Sequence, residues 1–111
     1  MEFKGKYRKF LLALLVMCFL PLRLFATDHT VTMKSLSFDP KRLDIKVGDS
    51  VQWQNKSLTE HFAKFEDGEI DTGMVVPQKS SKLIQFSKAG DYKYHCSVHG
   101  KTMSGSIVVS P

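Results

Sequence analysis

GDYKYHCSVHGKTMSGSIVV, residues 90–109, decides how this chain is read. In its first half Tyr92, Tyr94 and Cys96 fall on one face of an extended strand and Lys93 and His95 on the other, because successive strand side chains point to opposite sides. Ala89-Gly90-Asp91 supplies the turn before it, and Ile107 to Val109 a closing strand. Between the two, Cys96, His99 and Met103 share one loop at the spacing C-x2-H-x3-M. A thiolate, an imidazole and a thioether suit a thiophilic transition metal far better than calcium or magnesium.

The same period of two runs upstream. Leu43, Ile45 and Val47 alternate with Arg42, Asp44 and Lys46; Gly48-Asp49 turns the chain; Val51 and Trp53 then alternate with Gln52 and Gln54. Val31 with Met33, and Ile84 with Phe86, mark two more strands. No stretch shows a 3.6-residue apolar period, so the expected class is all-β, a small sandwich or barrel. Lys64 to Lys79, rich in Glu, Asp and Gly, reads as one long crossover with a short strand near Met74 to Val76.

Residues 1–26 are expected to be a secretory signal peptide and residues 27–111 the folded domain. Lys4, Lys6, Arg8 and Lys9 form a basic start, Phe10 to Leu20 an apolar run, and Pro21 to Ala26 an exit ending in a small residue. The run of eleven is short against the roughly 20 apolar residues that a spanning helix needs. Leu24 is large for its place before the cut, which leaves an uncleaved anchor as the alternative. The whole chain carries 16 Lys+Arg against 11 Asp+Glu; five of those cations (Lys4, Lys6, Arg8, Lys9, Arg23) and Glu2 belong to the leader, leaving 11 against 10. The domain is therefore nearly neutral and lacks the clustered basic face that nucleic-acid binding requires. Cys18 departs with the leader, so Cys96 is a lone thiol in an oxidising, periplasmic compartment, where it is buried and inert, reactive, or masked by a metal.

The loop needs a fourth donor, and His61, in NKSLTEHF after the Val51-Trp53 strand, is the upstream candidate. Each donor has a plainer reading: Cys96 as a small buried hydrophobe, His61 as a solvated loop residue, Met103 as core filler, with Met74 a rival thioether. His95 alternates away from Cys96 and is expected to face solvent. Together His61, Cys96, His99 and Met103 make the set of two imidazoles, a thiolate and a weak axial thioether found at blue-copper centres.

FDPKRLDIKVGDSVQWQN, the His61 loop, DTGMVVP and FSKAGDYKYHCSVHGKTMSGSIVV together resemble a cupredoxin of the plastocyanin and amicyanin type over essentially the whole domain. The resemblance implies a Greek-key β-sandwich that binds one copper ion through His61, Cys96, His99 and Met103 and shuttles single electrons between larger redox proteins. Two departures matter. Amicyanins have two residues between the loop His and Met and plastocyanins four, whereas Gly100, Lys101 and Thr102 make three here. The family commonly has Asn after the upstream His, where this chain has Phe62.

The expected function is thus a soluble, monomeric one-electron carrier between periplasmic partners, and not an enzyme, since no nucleophile elbow, paired-carboxylate motif or Gly-rich phosphate loop is present. The alternative is a periplasmic copper-handling protein, a buffer or chaperone, with the same ligands. A structural zinc module is disfavoured, because zinc has little use for a thioether. If cleavage follows Ala26, Thr27-Asp28-His29 could close a square-planar nitrogen set around Cu(II), a second site to be weighed against a mobile terminus.

Overall fold

The computed structural model describes residues 25–96 and 100–111. The leader expected over residues 1–26, apart from Phe25 and Ala26, lies outside them, as do Cys18 and His99. In chain order the strands are β1 (Asp28–Met33), β2 (Phe38–Asp39), β3 (Arg42–Lys46), β4 (Ser50–Asn55), β5 (Lys64–Phe65), β6 (Ile84–Gln85), β7 (Gly90–Cys96) and β8 (Gly100–Ser110). They form two sheets of four, ordered β2-β1-β4-β6 and β3-β8-β7-β5. The described residues contain no helix, as the absence of a 3.6-residue period led us to expect.

Two pairs are parallel, β1 with β4 and β3 with β8. Parallel neighbours cannot be joined by a hairpin. Here the chain leaves the first sheet after β2, lays β3 in the second and returns as β4, which is the Greek-key crossing that closes two sheets over one core.

Val31, Met33, Val51 and Trp53 from one sheet and Ile45, Phe65, Tyr94, Cys96, Ile107 and Val109 from the other are buried, as their alternation requires. Trp53 meets Tyr94 edge-on at 5.5 Å and Phe65 at 5.8 Å between ring centroids, and Phe38 meets Tyr94 at 4.7 Å. Such edge-to-face pairs contribute about 0.5–1.5 kcal/mol each beyond the area they bury. Burial pushes the Tyr94 hydroxyl up to about 12, opposed by the neighbouring Trp53 indole. Neither the indole N–H nor the hydroxyl completes a well-formed hydrogen bond among the described residues, so the two lean on each other.

Four expectations change. Val47 is 42% exposed, because β3 ends at Lys46 and the Gly48 turn, with φ of 96°, takes the chain out of the sheet. Met74 to Val76 is no strand; Val75 alone bridges His61. The segment read as a crossover instead folds back on residues 61–65, through Thr72 N–H to Ala63 carbonyl at 3.1 Å and Phe65 N–H to Ile70 carbonyl at 3.1 Å, and it follows β5, which pairs with β7. A strand of two residues has no periodicity to read. Finally, the closing strand is eleven residues long, so Met103 stands within it and not on a loop leading to it.

His29 is not a loose terminal residue. Its Nε2 donates to Asp49 Oδ2 at 3.0 Å, while the same carboxylate accepts the backbone N–H of Thr27 at 2.9 Å and of Lys46 at 3.1 Å. These donors stabilise the charged form and hold Asp49 down at about 2, against an ordinary 3.8. A depressed carboxylate stabilises the fold above its unfolded value and loses that contribution as pH falls through the folded one. Asp49→Asn is therefore expected to destabilise the protein at neutral pH and to flatten the loss of thermal stability between about pH 4 and pH 2, read from melting temperature against pH.

Gly105 pairs with Tyr94 across β7 and β8, and the ring lies over it: a Cβ there would sit 2.5 Å from the tyrosine oxygen and 2.6 Å from Cζ. With Phe38, Trp53 and Phe65 on the ring, it cannot yield. Gly105→Ala should cost about 1–3 kcal/mol by overpacking, measured by denaturant titration; an unchanged midpoint would show that the ring moves freely.

Candidate metal centre

The inward face of β4 runs Val51, Trp53, Asn55 and that of β7 runs Tyr94, Cys96, all buried. Beyond Asn55 the chain makes a tight polar loop and returns to His61. That loop is organised by Asn55, a residue sequence reasoning passed over. Its Nδ2 donates to the carbonyls of Thr59 and Val75, both at 2.8 Å, and its Oδ1 accepts from the Ser57 N–H at 2.9 Å and hydroxyl at 2.7 Å. An amide side chain at zero exposure with donors and acceptor all used is a rigid staple between the 56–60 loop and the 72–77 segment. The signal was present in the alternation, which places a polar residue inward immediately after Val51 and Trp53.

His61 is held on both sides. Its backbone makes a two-way bridge to Val75, N–H to carbonyl at 3.2 Å and the reverse at 2.8 Å. Its Nε2 lies 3.2 Å from Thr59 Oγ1. In the tautomer that donates Nε2–H to that oxygen, the Nδ1 lone pair faces the sulfur. Nδ1 stands 3.7 Å from Cys96 Sγ, and both residues have zero exposure.

That separation tests whether a metal fits. Bonds of about 2.3 Å to thiolate and 2.0–2.1 Å to imidazole, set about 120° apart, place sulfur and nitrogen about 3.8 Å from each other. The pair is spaced for one shared ion. Met103 adds a third buried donor on the same end: Ser104 pairs with His95, and the register then jumps so that Cys96 pairs with Gly100, leaving Met103 beside the Cys96 position, at zero exposure. The rival thioether, Met74, is 61% exposed. His95 is half-buried on the opposite face of β7, paired with Lys64 and Ser104. Among the described residues no group of three or more His, Cys, Asp and Glu side chains forms. His99, the second imidazole of the expected set, lies outside the described residues.

A family model described as the cupredoxin-like domain matches residues 9–109. The chain is a cupredoxin. Amicyanin from Paracoccus denitrificans is 30% identical over 83 residues, covering 71% of this chain and 63% of that protein. Plastocyanin from Nostoc punctiforme is 31% identical over 90 residues, covering 67% of this chain and 65% of its own length. The chain thus spans a little under two thirds of these curated relatives. Among solved structures, an oxidized amicyanin variant superposes with a TM-score of 0.66 at 29% identity, covering 73% of this cupredoxin and 80% of that chain. A Cu-containing nitrite reductase from Thermus scotoductus gives 0.69 at 31% identity over 76% of this chain, but only 22% of the reductase is matched. Within the family frame, Phe62 stands where an asparagine is usual, and it is Asn55, six residues before His61, that staples the ligand loop here.

Asn55→Ala should deprive the Ser57 N–H of its acceptor and take one hydrogen bond each from the Thr59 and Val75 carbonyls, which keep the Ser57 hydroxyl and the His61 N–H, at a cost of about 1–3 kcal/mol. Because it acts on the ligand loop, metal affinity should fall by about 10–100-fold, measured by competition with a chelator of known affinity. Unchanged affinity with reduced stability would make Asn55 a purely structural residue.

Proposed function

We propose that this cupredoxin binds one copper ion through His61, Cys96, His99 and Met103 and serves as a soluble one-electron carrier between redox proteins of the periplasm. The observation that carries the reading is the buried Cys96 sulfur 3.7 Å from His61 Nδ1, the separation a shared ion requires. Bound copper would supply a one-electron couple between Cu(I) and Cu(II). Everything else falls to the chain. Thr59 holds the imidazole at Nε2, Asn55 and the Val75 bridge hold the loop, and the core around Met103 keeps water from the donors. Donors that are fixed and dry keep their places when the charge of the centre changes, so little reorganisation opposes electron exchange.

A carrier also needs a surface for brief contact. Leu58, 90% exposed, lies in the 56–60 loop leading to His61, and Met74 and Val76 flank the Val75 bridge to it. This apolar fringe fits transient docking close to the centre. Solved amicyanin variants are described in an oxidized form and in a reduced Cu(I) form, which supports redox cycling as the role of the shared frame.

The test is spectroscopic and electrochemical. Copper-loaded protein should show an intense thiolate-to-Cu(II) absorption that Cys96→Ser abolishes, and a reversible one-electron wave in voltammetry. Only weak d–d absorption at one copper per chain would refute the thiolate centre. Strong colour with an irreversible couple and transfer of the metal to an acceptor would favour copper handling instead.

A further inference from the structure

The end of the sandwich away from the metal centre holds a nearly buried carboxylate that gathers donors from three segments of the chain. Asp49 is 6% exposed, and around it stand two backbone N–H groups and one imidazole. Of the elements packed there, β1 contributes His29 and the exposed Asp28; the end of β3 contributes only the main chain of Lys46, whose side chain is exposed; and the β6 end contributes the uncharged Gln85 and Phe86, whose N–H donates to the Asp49 carbonyl. Among the described residues His29 is the sole ionisable side chain on Asp49.

The backbone nitrogen of Thr27 is 2.9 Å from Asp49 Oδ1. Thr27 is also where the chain becomes pinned: its carbonyl accepts from Ser50 N–H at 3.1 Å, and β1 begins at the next residue. Phe25, by contrast, is 79% exposed, and Ala26 is exposed too. The small residue before Thr27 ends the stretch with the layout of an export leader.

We propose that the Ala26–Thr27 peptide bond is a processing site and that Asp49 is the receptor for the amino terminus created there. A leader peptidase adds one water across the bond; Ala26 leaves as a carboxylate on the leader, and the Thr27 nitrogen takes up protons to become an ammonium. A neutral N–H···carboxylate bond thereby becomes a charge-assisted ion pair at the same place, adding an ammonium to the donors that Asp49 already gathers. Processing then locks β1 beside β4, and it occupies the nitrogens of Thr27-Asp28-His29. A square-planar Cu(II) set from that tripeptide would have to strip the terminus and His29 from Asp49 and take amides out of the β1–β4 ladder, so no second copper binds there.

The sign of the pH dependence follows. An amine whose folded pKa is raised contributes its full stabilisation below the unfolded value, about 7.7–8.0, and loses it as pH rises through the folded value. The full chain, exported with its own leader and purified, should have a mass beginning at Thr27. Its melting temperature should fall from about pH 8 upward relative to a protein retaining one extra residue, Ala26, before Thr27. The Thr27 amine should titrate at least about one unit above the usual range by NMR. Asp49→Asn should remove both effects. The extended protein keeps Asp49, so the test survives if that substitution prevents folding. Titration with Cu(II) should stop at one ion per chain and be unchanged by His29→Ala. A different amino terminus, matching pH profiles for the two forms, or an amine in the ordinary range would overturn the proposal, whatever the copper spectrum shows.

Discussion

The packing of Trp53 from one sheet against Tyr94 and Phe65 from the other is the contact on which the remaining architecture depends. It joins the two layers, and it sets the phase of both strands that lead to the metal centre. Counting two residues on from Trp53 along β4 reaches Asn55; counting two from Tyr94 along β7 reaches Cys96. Because strand side chains repeat every two residues, an inward tryptophan and an inward tyrosine oblige both of these to point inward at the same end. Gly105 belongs to the same constraint, since the tyrosine ring reaches its place only over a residue without a side chain.

The two ends of the sandwich solve opposite problems with the same means. At one end Asn55, Ser57 and Thr59 bond one another and the backbone of a short loop, so that a buried imidazole presents one nitrogen to a buried sulfur. At the other, Asp49 gathers donors from Thr27, His29 and Lys46 and ties the start of β1 to the β3–β4 turn. Polar groups kept from water must find partners inside the protein. In both places local partners are joined by distant ones, Val75 and Cys96 at one end and Thr27 and His29 at the other, so the hydrogen bonds that meet the polar requirement also close the fold.

Membership of the cupredoxin family explains the frame and leaves this chain's own variations visible. Three residues separate His99 from Met103, and the register jump between His95 and Cys96 leaves Met103 inside β8. Phe62 stands at the position after His61, and the His61 loop is held by Asn55 and the His61–Val75 bridge. The ligand loop is thus secured from the β4 side, independently of the residue that follows the histidine.

Strand identity and inward faces were legible in the sequence wherever alternation ran for four or more residues, as in Arg42 to Lys46, Ser50 to Gln54 and Tyr92 to Cys96, because burial of one face of a pleated strand writes itself as a period of two. The donor residues were legible for a chemical reason: a soft thiolate and thioether beside an imidazole at short spacing point to few metals. What alternation could not reveal was anything set by contact between distant segments. The two-residue strands β2 and β5, the fold-back over residues 61–75 and the true length of β8 carry no local pattern. Asn55 as the loop's staple, the burial of Met103 against the exposure of Met74, and the gathering of Thr27 and His29 on Asp49 appear only in the folded molecule. A residue type can announce which chemistry it offers, whereas which atoms it meets is settled when two sheets close and bring segments tens of residues apart within hydrogen-bonding distance.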